Sequence, residues 1–231
     1  MEITRQERKM SEEIRNLLEG LPFWKHLKEE EKRMLEEASR EVHYPAGAGV
    51  YSGAGECLGA IYILNGIFRT YLLSDEGKEV TMFRLRQGDT CILSASCVLP
   101  AITFDVEIEA QTEVDAVLIP ARVLISLTKE NIYVENYVYK EAAKRFSDVV
   151  EALQQMMFLS LTQRIAAFLL DESAKIHSPV IAMTQEDLAK QIGSAREAVS
   201  RILKQMVKKG YVTLSRGEVK IENKEELYRL L

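Results

Sequence analysis

Residues 184–206 read TQEDLAKQIGSAREAVSRILKQM. Two stretches of helical periodicity are separated there only by Ile192-Gly193-Ser194, a join short enough to hold two helices at a fixed angle. In the second stretch Val199, Ile202, Leu203 and Met206 fall on one stripe, which supplies the apolar face that a surface helix buries. The opposite face carries Arg196, Glu197, Ser200, Arg201, Lys204 and Lys208, long polar side chains at spacings of one, three and four. Thr184 and Asp187 stand in the arrangement that caps a helix start, so the first helix opens at 184.

Downstream, YVTLSRGEVKIEN at 211–223 alternates apolar and polar residues on both sides of a turn at Arg216-Gly217, the signature of a small β-hairpin. Two helices, a tight turn and a hairpin make a winged helix-turn-helix. Upstream, SLTQRIAAFLLDESAKI at 160–176 is a further amphipathic helix ended by Ser178-Pro179, and VIAM leads into the opening stretch.

Such a second helix fits the major groove of duplex DNA, and its leading residues reach deepest. An Arg196 fork matches guanine O6 and N7, and a Glu197 carboxylate accepts from cytosine N4, so the pair suits G·C steps. Ser200 and Arg201 complete the set of expected base contacts. Thr184, Ser194, Lys204, Lys208 and Arg216 are placed for phosphates, which would supply affinity without sequence information.

From Ala121 to about Leu159 the pattern is helical and long, with Tyr139, Phe146, Val150, Leu153 and Met157 along one seam stepped by threes and fours. A seam kept over three heptads predicts pairing with the same helix of a second subunit, the alternative being packing on its own barrel. Between Val42 and Ile119 the texture is brief runs of Val, Ile, Tyr, Phe and Thr punctuated by glycines, and AIYILNGIFRTYLL contains an Asn-Gly hairpin turn. Short helices at 11–19 and 28–39 precede this region. The expected class is α+β: an antiparallel β-roll of jelly-roll type over 1–120 with its leading helices, a dimerisation helix over 121–158, and a winged helix-turn-helix over 159–231.

Charge follows the same division. The 231 residues carry a net charge of −5, yet residues 159–231 hold 12 Lys and Arg against 9 Asp and Glu, leaving +3 there and −8 in the rest. A mildly basic C-terminal unit joined to an acidic N-terminal one is consistent with a nucleic-acid partner. There is no apolar run of about 18 residues and no leader-like N-terminus, which argues for a soluble cytoplasmic protein without a membrane partner. No nucleophile-base-orienter set, P-loop or zinc motif occurs, so no enzymatic activity is expected. Three cysteines, Cys57, Cys91 and Cys97, lack the spacing of a disulfide framework or zinc ribbon and fit a reducing compartment.

GSAREAVSRILKQMVKKGYV resembles the DNA-reading segment of the CRP/FNR family of bacterial transcription regulators, whose Arg-Glu-x-x-x-Arg signature falls on Arg196, Glu197 and Arg201. IYILNGIFRTYLLSDEGKEVTMFRLRQGD is similar to that family's β-roll sensor, with Gly66 and Gly88 in matching turns. The resemblance implies a homodimer on double-stranded DNA, with recognition helices roughly 34 Å apart over an inverted repeat. A GTGA-like half-site, RNA polymerase as partner, and an effector that shifts the dimer between poorly and well spaced reading heads are implied as well.

The sensor departs from the family's cyclic-nucleotide pattern. Gly88-Asp89 is present, but Phe104-Asp105 stand where an Arg-Ser pair should grip the phosphate, and Asp105 would repel it. Cyclic AMP is therefore not the expected effector. An iron-sulfur cluster generally needs four thiolates, more than this chain offers. Cys91 matches the cysteine of the haem-bearing branch, although Leu93 stands where its histidine would. Haem through Cys91, thiol oxidation at Cys91 and Cys97, an apolar organic effector, or plain packing of both cysteines remain open. The pocket candidates are Gly88, Asp89, Cys91, Cys97, Phe104 and Asp105. A second function class is a small-molecule-binding β-barrel module whose winged helix mediates protein association.

Overall fold

The computed structural model describes residues 12–51, 57–77, 79–98 and 106–231. Helices α1 (Glu12–Gly20) and α2 (Glu29–Ala38) open it, followed by β1 (Arg40–Tyr44), β2 (Gly49–Tyr51), β3 (Gly59–Asn65), β4 (Phe68–Leu73), β5 (Glu79–Leu85), β6 (Thr90–Cys91), β7 (Glu107–Ala110) and β8 (Val114–Pro120). The strands form two antiparallel four-stranded sheets, ordered β1-β8-β3-β6 and β2-β7-β4-β5. This is the β-roll that the glycine-punctuated runs predict. Gly66 sits at φ +90° in the β3–β4 turn, where a Cβ would lie 2.2 Å from the Glu113 carbonyl oxygen, so only glycine fits.

The helices beside the roll bury one apolar cluster that includes Leu18, Phe23, Leu35, Val117, Leu124, Leu127, Val134 and Val138. The helical pattern over 121–159 is two helices, α3 (Ala121–Glu130) and α4 (Ile132–Phe158), broken at Asn131. Asn131 is extended at φ −132°. Its amide nitrogen donates to the His26 carbonyl at 3.1 Å and to Glu31 Oε2 at 3.2 Å, while its Oδ1 accepts from the Tyr133 backbone at 3.1 Å. The break has a local cause, Asn131 capping the start of α4 through Tyr133, and a distant one, since His26 and Glu31 hold the amide from about a hundred residues away.

Contacts divide the chain into two compact units, residues 1–70 with 84–146, and residues 71–83 with 147–231. The second contains α5 (Leu161–Lys175), β9 (Val180–Ala182), α6 (Gln185–Ile192), α7 (Arg196–Lys208), β10 (Val212–Ser215), β11 (Glu218–Ile221) and α8 (Lys224–Tyr228). Val199, Leu203 and Met206 of α7 are buried with Ile165, Leu169, Leu188, Val212, Val219 and Leu227, and Ile202 is packed against them. The hairpin β10–β11 gains β9 as a third strand, Val219 opposite Ile181. No helix among the described residues is long and apolar enough to cross a membrane.

Candidate nucleic-acid interface

One device fixes the start of α6 and two hold its end where α7 follows. At the start of α6, Thr184 Oγ1 accepts from the Asp187 backbone at 3.1 Å, and the Asp187 carboxylate accepts from the Thr184 backbone at 3.1 Å and its hydroxyl at 2.6 Å. At its end Gly193 adopts the left-handed conformation, φ 62° and ψ 47°. The Gly193 and Ser194 amides both turn back to the Ala189 carbonyl. The last carbonyl of α6, on Ile192, accepts from Arg164 Nη1 of α5 at 2.7 Å.

A side chain at 193 meets two penalties. The left-handed backbone disfavours any Cβ, and a Cβ there would come within 3.1 and 3.2 Å of the Val80 methyls. We expect Gly193→Ala to lower the unfolding free energy by about 1–2 kcal/mol, with Gly193→Asn losing less because its side chain tolerates that conformation. Urea midpoints of the two variants check this.

On the solvent side of α7, Arg196, Glu197, Arg201, Lys204 and Lys208 are all exposed and Ser200 is half-buried. With Gln185 and Gln205 they line one shallow groove. Arg196 also borders a second groove with Thr184, Gln185, Ser215, Gly217 and Glu218, joining the starts of both helices to the hairpin tip. Gln185 was not singled out from the sequence. Its position directly after the Thr184 cap, at the same end as Arg196, is the signal that could have found it.

The start of α7 is unusual in one respect. Its N-cap is Ala195, which makes no side-chain hydrogen bond to the first turn. The leading N–H groups of the helix therefore point outward without an internal cap, the arrangement that suits an anion. The hairpin turn at Arg216-Gly217 is anchored from below by the Met183 N–H, which donates to the Gly217 carbonyl at 2.7 Å.

The pocket candidates do not converge. Gly88 turns the chain between β5 and β6, its N–H donating to the Ile63 carbonyl at 2.9 Å. Asp89 is engaged on every side: Oδ2 accepts from the Arg86 backbone at 2.9 Å, and Oδ1 from Lys144 at 3.1 Å and Arg145 at 3.2 Å of α4. Burial alone would raise its pKa, but the Arg86 N–H and the two cations more than offset this and hold it below 3.8. Because the folded pKa is depressed, the stability it contributes is present above about pH 3.8 and is lost as pH falls through the folded value. Asp89→Asn is expected to remove that part of the acid dependence, measured by urea unfolding from pH 6 to pH 3.

Beside Asp89, the Thr90 and Tyr137 hydroxyls share a 2.8 Å hydrogen bond, and burial pushes the Tyr137 pKa up to about 12. Cys91 is 1% exposed, and burial raises its thiol pKa above the ordinary range. No group of three His, Cys, Asp or Glu able to hold a metal occurs among the described residues. Cys97 does not stand free with Cys91. It is bonded to Cys57, forty residues earlier, a pairing that sequence spacing does not suggest. Phe104 and Asp105 lie outside the described residues.

An antiparallel roll followed in the chain by a winged helix-turn-helix is an architecture found in DNA-binding regulators. Residues 163–230 match the family model of the Crp-like helix-turn-helix domain. A protein of known structure from Eubacterium rectale, described as a transcriptional regulator of the Crp/Fnr family, is 37% identical, with a TM-score of 0.87 over 91% of this chain and 97% of that one. This chain is therefore a member of the Crp/Fnr family of transcriptional regulators. The regulatory protein HlyX of Actinobacillus pleuropneumoniae is 24% identical over 75% of each chain. The c-di-GMP-responsive global regulator CLP of Xanthomonas campestris shares the fold at a TM-score of 0.72 and 18% identity, over 85% of this chain and all of that one.

Proposed function

We propose that this protein is an effector-responsive regulator that binds an inverted-repeat DNA site as a homodimer, each α7 lying in a major groove. The observation that carries the reading is the unpaired state of its polar face. Among the described residues, Arg196, Glu197, Arg201, Lys204 and Lys208 make neither an ion pair nor a hydrogen bond, although cations and a carboxylate lie within one turn of each other. A solvated helix face of purely structural use gains a few tenths of a kcal/mol by pairing such groups. Side chains left extended and free are positioned for an external partner.

In this reading Arg196 takes guanine, Glu197 takes cytosine N4, and Ser200 and Arg201 read adjoining bases. Thr184, Ser194, Lys204, Lys208 and Arg216 hold phosphates, with the open N–H groups of α7 beside them. The exposed seam of α4, where Tyr139, Phe146, Leu153 and Met157 are each at least 45% exposed and Val150 is half-buried, meets its copy in a second subunit. Residues 1–120 act as sensor, 121–158 as dimer helix and 159–231 as reader, in the cytoplasm, with RNA polymerase as the protein partner. The effector is not cyclic AMP, since Phe104-Asp105 give a phosphate no cation and the Asp89 carboxylate is committed to Lys144 and Arg145.

The test is fluorescence anisotropy on a labelled inverted repeat selected from random duplexes, against a scrambled duplex of equal length. Preference of about a thousandfold or more for the selected site is expected at physiological salt. Affinity for both should fall with salt, with a logarithmic slope of about −0.9 per phosphate contacted. Equal affinity for the two duplexes overturns the reading and favours the winged helix as a protein-association surface.

A further inference from the structure

We propose that Cys57 and Cys97 form a reversible thiol–disulfide couple on the sensor surface, exchanged by low-molecular-weight thiols and disulfides, with Cys91 excluded from it. The two residues are held together by more than their sulfurs. Cys57 stands two residues before β3, and Cys97 lies in the 3-10 helix Leu93–Val98 that follows β6; β3 and β6 are paired, Ile61 opposite Cys91 and Tyr62 opposite Thr90. The Leu58 N–H donates to the Ser94 carbonyl at 3.0 Å, and the fully buried Ser94 hydroxyl donates to the Gly59 carbonyl at 2.7 Å. These bonds do not depend on the oxidation state of sulfur. With them in place the Cα atoms of the bonded Cys57 and Cys97 lie 6.1 Å apart, within the span a disulfide bridges.

Both states are therefore provided for. In the dithiol form the Cys57 Sγ–H has an acceptor in place, the Ser94 carbonyl 3.8 Å from its sulfur. Cys97 is exposed and Cys57 half-buried, so a small thiol reaches the pair from solvent, whereas the third cysteine is enclosed. Oxidation proceeds in two exchanges. One cysteine thiolate, most accessibly that of Cys97, attacks a glutathione disulfide, forming a mixed disulfide and expelling one glutathione thiolate. The Cys57 thiolate then attacks the Cys97 sulfur, forming the intramolecular bond and expelling the second. Two protons leave to solvent and the two electrons pass to the external disulfide. Reduced glutathione reverses both steps.

The experiment equilibrates the native full-length protein in a series of glutathione buffers from fully reduced to fully oxidised, quenches with an alkylating agent and maps the cysteines by peptide mass. A Cys57–Cys97 bond that titrates within the series is expected, with Cys91 alkylated only after denaturation. Cys57→Ser should accumulate the Cys97–glutathione mixed disulfide, and Cys91→Ser should titrate as the native protein does. A pair that stays reduced in oxidised glutathione alone, or stays bonded in reduced glutathione alone, overturns the proposal. So does a disulfide involving Cys91.

Discussion

Arg196→Ala combined with Glu197→Ala should lower affinity for the selected inverted repeat about a thousandfold or more, and leave binding to scrambled duplex nearly unchanged. The size follows from geometry. A bidentate arginine–guanine contact discriminates by about 1–3 kcal/mol, and a dimer makes it twice, so the arginine alone accounts for about 4 kcal/mol. At about 1.4 kcal/mol per factor of ten, that is close to three orders of magnitude. Both side chains are exposed and unpaired, so folding stability should move by less than about 1 kcal/mol, mostly from loss of the Glu197 charge at the helix start. Lys204→Ala is the contrasting variant, weakening both duplexes alike and reducing the salt slope by about two, one phosphate contact being lost in each subunit. If the double variant discriminates as well as the native protein, the base-reading role assigned to α7 fails.

The second large effect is expected at the dimer seam. Phe146 is 68% exposed and Leu153 is 45% exposed, and the two stand seven residues apart on α4. Phe146→Glu with Leu153→Glu places four carboxylates in what would be a dry interface, each without a cation, and a buried unpaired charge costs several kcal/mol. Sedimentation should then show a monomer at micromolar concentration, with the far-ultraviolet helix signal retained. Affinity for the inverted repeat should fall by a factor of about 10² to 10⁴, because each half-site then binds without the effective concentration that linkage supplies. A variant that still sediments as a dimer would move the subunit contact away from this face.

The elements most legible in the sequence are those whose causes are local. Val199, Leu203 and Met206 are buried as their spacing demands, Thr184 and Asp187 cap α6 as their three-residue separation implies, and the Asn65-Gly66 turn joins β3 to β4. Features that depend on partners far along the chain were hidden. The hold of His26 and Glu31 on the Asn131 amide is one, although the Asn131 cap on Tyr133 is itself local, and the commitment of Asp89 to Lys144 and Arg145 is another. The pairing of Cys57 with Cys97 follows from the β3–β6 register, which no spacing rule encodes. The pairing of β9 with β11 was similarly out of reach, since Val180–Ala182 is three residues long and reads as a connection.

At position 195 the DNA-reading role proposed for α7 would be served at the expense of stability, since Ala195 makes no side-chain cap. A serine, threonine or aspartate there would satisfy the open amides from within and strengthen the fold by roughly 1 kcal/mol. Screening for heat resistance alone would therefore select such a residue, and aspartate most damagingly for the proposed reading, because it would set a fixed negative charge where that reading brings in a duplex phosphate. The most thermostable descendants of this protein would then include regulators that have stopped reading DNA.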